Sequence, residues 1–308
     1  MLLRLLPEDV NVNFIGRRKI AFAFSLLLVA GSIALFASRG LNLGIDFLGG
    51  TMIEVKTEQG MGVEEFRDAM SDLGLGDVQI QEFGAVDDLL IRIQRQPGDD
   101  DAQQAALAAA KQAIDDMVIE YRRVEVVGPT VGSELQEAAI YAICFAIGAI
   151  LIYIWFRFEW QFSVCAIIAL VHDVIATVGL FALLQLEFNL ATVAAVLTIA
   201  GYSINDTVVV FDRVRENIRK YKTMPFESLT NLAINQTLSR TLMTSVTTLI
   251  ALTALAFFGG DVIRDFSIAL IWGVVVGTYS SILVAVPLLL TLEPHRGEEV
   301  GTDDAQTA

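Results

Sequence analysis

The sequence predicts an α-helical polytopic membrane protein with six transmembrane helices and one α+β, ferredoxin-like extracytoplasmic domain between helices 1 and 2. Three observations predict this class. The 308 residues are 54% hydrophobic and their mean hydropathy is +0.58, above the values of an ordinary soluble domain. Apolar runs long enough to cross a hydrocarbon core of about 30 Å recur along the chain. A long polar stretch with strand and helix patterns separates the first run from the second.

These runs divide the chain into parts. Residues 1–19 are predicted to be a cytoplasmic N-terminus, 20–38 the first transmembrane helix and 39–134 the periplasmic domain. A five-helix transmembrane bundle is predicted over 135–291, followed by an acidic cytoplasmic tail over 292–308. The five helices of the bundle are predicted over 135–156, 162–184, 190–211, 242–258 and 266–290.

The charges give an orientation and exclude one class of partner. Basic residues concentrate before the first run, near Arg157 and in the loop 212–239, which predicts that both termini are cytoplasmic. The net charge is −15, and most of the acidic residues lie in the predicted periplasmic domain and in the tail. This excess of negative charge argues against nucleic-acid binding. The predicted periplasmic domain contains no cysteine, so it is not a disulfide-stapled domain.

The polar stretch has the element order of a ferredoxin-like domain. Alternation predicts strands over 51–57, 78–83, 89–94 and 122–127, and helical spacing predicts helices over 63–73 and 102–117. The order βαββαβ is the split βαβ arrangement, in which both helices can cover one face of an antiparallel sheet. The other face is then available to a partner or to solvent.

Two glycine-rich joints flank this domain, over 44–50 and 128–132. Glycine permits unusual backbone angles, so the joints are either hinges or ordinary turns, and the sequence favours neither. The residues of interest in them are Gly44, Asp46, Gly49, Gly50, Gly128, Pro129 and Gly132.

The fourth apolar run contains an ionisable residue, Asp206, preceded by Asn205. A carboxyl group inside the hydrocarbon costs on the order of 3 kcal/mol on insertion scales, which makes it a candidate functional group. The alternative is that Asp206 lies close enough to the helix end to be hydrated. Arg240 opens the next, antiparallel run and can reach Asp206 if the two helices are neighbours. Such a pair either exchanges a proton or is a permanent ion pair that holds two helices together.

Other polar residues in the membrane are candidates for a supporting role. Hydroxyl groups recur at helical spacing on the fifth helix, at Thr237, Thr241 and Thr244, where helix packing is favoured over water binding. The neighbours His172 and Asp173 lie in the middle of the third helix, where they either relay protons or bond to a partner helix. Adjacent residues on a helix face different directions, which favours the second reading.

The sequence contains no Walker A motif, HExxH, GxSxG or CxxC. It therefore predicts no enzyme, no catalytic residue, no metal site and no cofactor. Work done by this protein would depend on a partner or on an ion gradient, with protons as the coupling ion.

Five segments carry a resemblance to a known family. They are 44–50, 127–135, 201–206, the run ending at Asn217, and 236–241. Together they resemble the SecF subunits of bacterial protein translocases, in the SecD/SecF family of the resistance-nodulation-division superfamily. The resemblance implies a six-helix half of a pseudo-symmetric bundle in the cell inner membrane, with SecD as the other half. It also implies cooperation with SecYEG, with SecA indirectly and with YajC, on exported preproteins, driven by the proton motive force. The family's membrane Asp and Arg match Asp206 and Arg240.

Three other functions compete with this one. The main alternative is a small-molecule or lipid efflux transporter of the same superfamily, although such proteins usually have about twice as many helices. A scaffold that moves no ions is the second. An intramembrane protease is the third, and it is weakened because no second helix supplies a matching Asp.

Overall fold

The computed structural model describes residues 11–58, 61–83, 85–259, 261–292 and 294. Within them, six helical segments are long and apolar enough to cross a membrane, which confirms the predicted fold class. The helices are α1 (Arg18–Arg39), α2 (Ile45–Leu48), α3 (Val63–Ser71), α4 (Asp100–Ile114), α5 (Pro129–Arg157), α6 (Trp160–Leu184), α7 (Leu190–Lys220), α8 (Phe226–Phe258), α9 (Asp261–Ser280) and α10 (Val286–Leu292). The strands are β1 (Asn42–Leu43), β2 (Gly50–Thr57), β3 (Val78–Phe83), β4 (Ala85–Gln94), β5 (Val118–Val127) and β6 (Glu187–Phe188).

The predicted polar loop 212–239 is largely helical. α7 continues to Lys220, α8 begins at Phe226 rather than at 242, and only residues 221–225 separate them. The physical reason is that a helix need not end where the hydrocarbon ends, because its charged residues pair along it. Arg213 and Glu216 form such an i,i+3 ion pair at 2.8 Å. The inner sides of these extensions are buried against each other, so they continue the bundle.

Other boundaries also differ from the predicted ones. α5 begins at Pro129, before the predicted start at 135, so part of the predicted joint 128–132 is helical. The last span is formed by α9 and α10, joined by a π-helical turn over Ser281–Ala285. Residues 1–10, and the predicted acidic tail from 295 onwards, lie outside the described residues.

The inner helices of the bundle are α6, α7 and α9. Half or more of their most apolar windows is buried, at 50, 56 and 67%, against 17, 11 and 11% for α1, α5 and α8. The outer three therefore present most of their surface to lipid or to a partner. One end of the inner group is fixed by an aromatic cluster in which Phe162 and Phe211 pack edge to face at 5.2 Å.

The domain between the first two spans has the predicted βαββαβ order. Its four antiparallel strands lie in the order β3-β4-β2-β5, as in ferredoxin-like domains. α3 and α4 cover one face, where Phe66, Ile53, Leu89 and Ile91 are fully buried.

The prediction that the other sheet face is free is only partly correct. Ile45 of α2 packs on Met52 and Leu90 of that face, and all three are buried. The chain entering the domain thus folds back under its own sheet. Phe83 and Val127 also pack there, and the face carries an ion pair between Arg123 and Glu125.

A second, two-stranded sheet was not predicted. β1 pairs in parallel with β6, the short segment between α6 and α7, with Asn42 opposite Glu187 and Leu43 opposite Phe188. Two residues are too few to produce a period-two pattern, so only the long-range pairing reveals these strands.

Candidate functional site

Asp206 lies in the interior of the bundle on α7. Asp206 is 2% exposed, and its Oδ2 atom has no hydrogen-bond partner among the described residues. Asn205, its neighbour in sequence, is exposed and faces away from it. The alternative that Asp206 is simply hydrated at a helix end is therefore wrong for the chain in this arrangement.

Arg240 does not complete the expected ion pair. The described residues include no ion pair between Arg240 and Asp206. Arg240 is exposed on the outer side of α8, whereas the next residue, Thr241, is buried with an unpartnered Oγ1 atom. Helices α7 and α8 are neighbours, as predicted. An ion pair between Arg240 and Asp206 would need a different conformation of the Arg240 side chain.

His172 and Asp173 form a contact that helix geometry argued against. His172 Nδ1 lies 2.8 Å from Asp173 Oδ1, and both residues are buried. Asp173 Oδ2 accepts hydrogen bonds from Ser203 of α7 at 2.5 Å and from Ser280 of α9 at 2.7 Å. A single carboxylate thus joins the three inner helices. The predicted bond to a partner helix is present twice, at Ser203 and Ser280, and the proton relay stays a prediction.

The serines were not singled out by the sequence. Ser203 belongs to the segment 201–206 and precedes Asp206 by less than one turn of α7, about 4.5 Å along the helix axis. Ser280 lies at the end of α9, directly before the π-helical turn. Its position at the start of a small polar pair, Ser280-Ser281, was the available signal.

A band of hydroxyl groups continues beyond Asp206. Thr207 and Ser281 share a hydrogen bond at 2.8 Å, and Ser281 donates to the Ser203 carbonyl at 3.3 Å. The π-helical turn therefore begins where α9 meets the polar side of α7, a placement that is frequent at functional sites. The band brings Asp173 and Asp206 into one buried polar region.

The opposite end of this region reaches α1. The His172 ring packs 6.2 Å from the ring of Tyr279, and the His172 Nε2 atom has no partner among the described residues. Tyr279 donates to the Ala21 carbonyl at 2.8 Å and shares a hydrogen bond with Ser25 at 2.9 Å. Four of the six spans thus meet around two acids and one histidine.

The hydroxyl residues of α8 mostly satisfy themselves. Thr237 donates to the Ala233 carbonyl, and Thr244 donates to the Thr241 carbonyl, within the same helix. One exception is Ser245, which shares a hydrogen bond with Thr278 of α9 at 2.7 Å. This agrees with the packing role favoured by the sequence for most of the stripe. The described residues include no group of three or more metal-ligating side chains.

The two predicted joints lie against each other at the other end of α7. A Cβ atom added to Gly132 would lie 3.1 Å from the Gly49 backbone nitrogen. Gly50 has a φ of +126°, and a Cβ atom there would lie 2.5 Å from the Ile93 carbonyl oxygen. Only glycine fits the positive φ of Gly50 and its close approach to the Ile93 carbonyl oxygen. Gly128 precedes the first residue of α5, Pro129.

Asp46 and Gly44 connect this joint to the bundle. Asp46 Oδ2 accepts a hydrogen bond from the backbone nitrogen of Leu190, the first residue of α7, at 2.9 Å. Gly44 donates to the Phe188 carbonyl at 2.9 Å. Glu187 pairs with Arg92 of β4, and burial raises the pKa of Glu187, with Arg92 opposing the shift and Asp46 and Asp265 adding to it.

Two family models match the chain. One, described as protein export membrane protein SecD/SecF, C-terminal, matches residues 106–295. The other, described as the SecD/SecF GG motif, matches residues 34–61 and so includes Asp46 and its flanking glycines.

Curated relatives match over almost the whole chain. The chain is 47% identical to protein translocase subunit SecF of Cereibacter sphaeroides, across 96% of the chain and 94% of the relative. It is 48% identical to the protein of the same name from Magnetococcus marinus, across 97% of each.

A solved structure has the same fold. The crystal structure of SecDF from Thermus thermophilus, a translocon-associated membrane protein, matches with a TM-score of 0.84 and 38% identity. The match covers 94% of the present chain and 40% of that longer chain.

Proposed function

The chain belongs to the SecD/SecF family of protein export membrane proteins, and on that premise we propose that it is an auxiliary subunit of the Sec export machinery. In this role it works with SecD to promote proton-motive-force-dependent movement of preproteins across the inner membrane, after initiation by SecA and SecYEG. The efflux alternative is not favoured, because the relatives that match along the whole chain are translocase subunits.

One observation carries the proton-coupling part of the proposal: Asp206 is buried in the bundle with one carboxylate oxygen unpartnered. An unpaired, ionised carboxylate in that position is unfavourable by about 3 kcal/mol on insertion scales. Protonation of the carboxyl group or pairing with a cation relieves this cost. The hydroxyl band and the Asp173–His172 pair supply polar groups beside it. A proton that enters this region has a place to bind, and no cofactor or catalytic step is required.

Arg240 supplies the second state in the proposal. Its guanidinium is outside the core in this arrangement, and a change of rotamer or a small movement of α8 would bring it toward Asp206. Protonation of Asp206 then favours the separated arrangement, and ionisation favours the paired one. Movement of one proton through 100 mV supplies about 2.3 kcal/mol, enough for a population shift of about fifty-fold.

The partners follow from the same reasoning. The solved SecDF chain is longer than the present one, which supports SecD as the other half of the assembly. The outer surfaces of α1, α5 and α8 are available for SecD and for the lipid bilayer. SecYEG, SecA and YajC are proposed as further partners, and exported preproteins as the substrate. No nucleic-acid partner is proposed.

The proposed orientation places both termini in the cytoplasm of a multi-pass inner-membrane protein. It rests on the basic residues of the α7–α8 connection and its helical flanks, including Lys220 and Lys222. In intact cells, a Lys222→Cys variant should react with membrane-permeant thiol reagents and resist impermeant ones. Reaction with an impermeant reagent would show that this connection faces the outside and that the proposed orientation is wrong.

The coupling proposal is tested by preprotein translocation into inverted vesicles that contain the chain with SecD, with and without a protonophore. Asp206→Asn and Arg240→Met should abolish the protonophore-sensitive stimulation while SecA- and ATP-driven export continues. Matched controls are Asp212→Asn and Arg213→Met, whose side chains form exposed ion pairs on the α7 extension. If Asp206→Asn retains full stimulation, the proton-coupling role is wrong. If it fails to assemble with SecD, a scaffold role is favoured instead.

A further inference from the structure

We propose that residues 42–50 form a rigid strap that couples α7 to the extracytoplasmic domain, with Asp46 as its positioning residue. This strap deepens the proposed function and rests on it, because α7 is the helix that carries Asp206. The sequence singled out Asp46 and the flanking glycines, but neither proton binding nor the bundle core uses them. Asp46 and Gly44 instead make contacts at the outer end of α7.

The first contact is made by Asp46 itself. Its Oδ2 atom accepts a hydrogen bond from the Leu190 backbone nitrogen at 2.9 Å. Backbone N–H groups in the first turn of a helix have no partner within the helix, so an acid there satisfies one of them and interacts favourably with the helix dipole. Asn189 also caps α7, by accepting from the Thr192 nitrogen at 3.1 Å. Asp46 thus adds a cap from outside the helix, supplied by a segment 144 residues away in sequence.

The second contact is the backbone pairing of β1 with β6, which runs directly into α7. Gly44 donates to the Phe188 carbonyl at 2.9 Å, and the Asn42 side chain donates to the Gln185 carbonyl at 3.0 Å. A Cβ atom on Gly44 would lie 2.6 Å from Glu187 Oε1, so a larger residue would displace the Glu187 side chain. Apolar packing adds to these bonds, because Phe47 and Val193 belong to one buried cluster.

The third contact ties the domain itself to the same point. Arg92 of β4 pairs with Glu187 of β6, and their side chains are only 13 and 16% exposed. The Glu187 backbone nitrogen donates to Asp265 of α9 at 3.3 Å. On the other side of the strap, Gly49 leads into β2 through Gly50, against the start of α5. The domain is therefore held to the start of α7 by both its linker and its sheet.

This arrangement transmits movement along one helix. Leu190 and Asp206 are separated by sixteen positions on the uninterrupted α7, or about 24 Å. A change at Asp206 that tilts or shifts α7 would displace its outer end, and the strap would displace the domain with it. Gly49 and Gly50 then serve close packing rather than a hinge, because Cβ atoms added there would lie 3.3 Å from the Val127 carbonyl oxygen and 2.5 Å from the Ile93 carbonyl oxygen.

The test measures the distance between the domain and the bundle in the full chain co-assembled with SecD in lipid vesicles. Spin labels are placed at Gln81→Cys on β3 and Phe257→Cys on α8, both exposed, after replacement of the native Cys144 and Cys165. Asp206→Asn should shift the distance distribution. The same substitution should cause a smaller shift when combined with Asp46→Ala, which removes one of the three contacts, whereas Asp46→Asn, which keeps an acceptor oxygen, should retain the full shift.

Asp68→Ala is the matched control, because Asp68 is an exposed acid of the same domain on α3. It should retain both the shift and the protonophore-sensitive export. If Asp46→Ala also retains both in full, the strap does not couple the two parts and the inference is overturned. If Asp206→Asn causes no shift in the unmodified strap and loses no stimulation, the proposed function fails together with the strap. A smaller shift in Asp46→Ala alone, with restoration by Asp46→Asn, supports the strap specifically.

A cross-link tests rigidity without relying on the folding of Asp46 variants. Leu43 and Phe188 are paired in the parallel β1–β6 register, so Leu43→Cys/Phe188→Cys places two thiols on adjacent strands. A rigid strap predicts that the oxidised and reduced forms give the same protonophore-sensitive export. If oxidation abolishes the stimulation and reduction restores it, the two strands must separate during work and the rigid strap is wrong.

Discussion

Ser203 on α7 donates a hydrogen bond to Asp173 on α6, and Ser203 precedes the second buried acid, Asp206, by less than one turn of the same helix. Asp173 also accepts from Ser280 of α9, so the carboxylate holds three helices together. The consequence is that the polar region around Asp206 has two parts. Asp173 is fully bonded and fixes the helices, whereas Asp206 retains an unpartnered oxygen and is free to change partners.

Ser280→Ala should destabilise the bundle more than Ser267→Ala. Both serines lie on α9 and are fully buried, but Ser280 bonds to the Asp173 carboxylate and Ser267 to a carbonyl of its own helix. Removal of the Ser280 hydroxyl takes a donor from a buried carboxyl group that joins three helices, so we expect a loss of about 1–2 kcal/mol for Ser280→Ala and less than about 1 kcal/mol for Ser267→Ala. Unfolding by SDS titration of the purified protein measures both. Equal losses would contradict the conclusion that the Asp173 carboxyl group holds the three inner helices together.

Gly179→Ala should weaken the packing of α1 on α6. A Cβ atom at Gly179 would lie 2.3 Å from Ser32 Cβ and 2.8 Å from Ser32 Cα, so the helices must separate. Overpacking of this kind costs about 1–3 kcal/mol. Gly148→Ala on α5 is the control, because nothing lies within 4 Å of its added Cβ atom. Thermal unfolding should show a loss for the first variant only, and an unchanged midpoint for Gly179→Ala would refute the close contact.

Docking of the strap at β6 should become more stable as the pH falls. Burial raises the pKa of Glu187 above its usual value of 4.5, with Asp46 and Asp265 adding to the rise and Arg92 opposing it. A raised pKa means that the docked state binds the proton more tightly than the open state. The contribution is therefore complete below the ordinary pKa and is lost as the pH rises through the raised one.

Hydrogen exchange at the Gly44 amide, converted to an opening free energy, measures this dependence. The opening free energy should decrease with increasing pH in the unmodified protein, and Glu187→Gln should remove the trend. Glu82→Gln, an exposed acid of β3, should leave it intact. A trend of the opposite sign would mean that the ion pair with Arg92 outweighs burial at this site.

The extracytoplasmic domain should fold without the membrane part. Its core is self-contained, and a polypeptide of residues 42–127 retains Ile45 over Met52 and Leu90. We expect mixed helix and strand signals in circular dichroism and cooperative unfolding in urea. Phe66→Ala should lower the unfolding free energy by about 3–5 kcal/mol, because Phe66 is fully buried. Arg67→Ala, its exposed neighbour, should have little effect, and a non-cooperative transition in the unmodified domain would contradict the prediction.

The sequence alone determined the elements of this protein. Apolar length predicted six spans, and the alternation of strand and helix patterns predicted the βαββαβ domain, because both signals depend on residues near one another in the chain. It also identified Asp206, since an acid within an apolar run is visible without knowing its neighbours. Where a helix continued beyond the apolar run, as α7 and α8 do, the same signal placed the boundary too early.

Tertiary structure decided which residues meet. Ser203 and Ser280 are 30 and 107 positions from the carboxylate of Asp173 that they share, and Asp46 is 144 positions from Leu190. No local pattern encodes such contacts, because they depend on how helices rotate and cross once their apolar faces are packed. The same rotation turned Arg240 outward although it lies on a helix next to Asp206. The sequence supplied the charged groups, and packing of the helices determined which of them are partners.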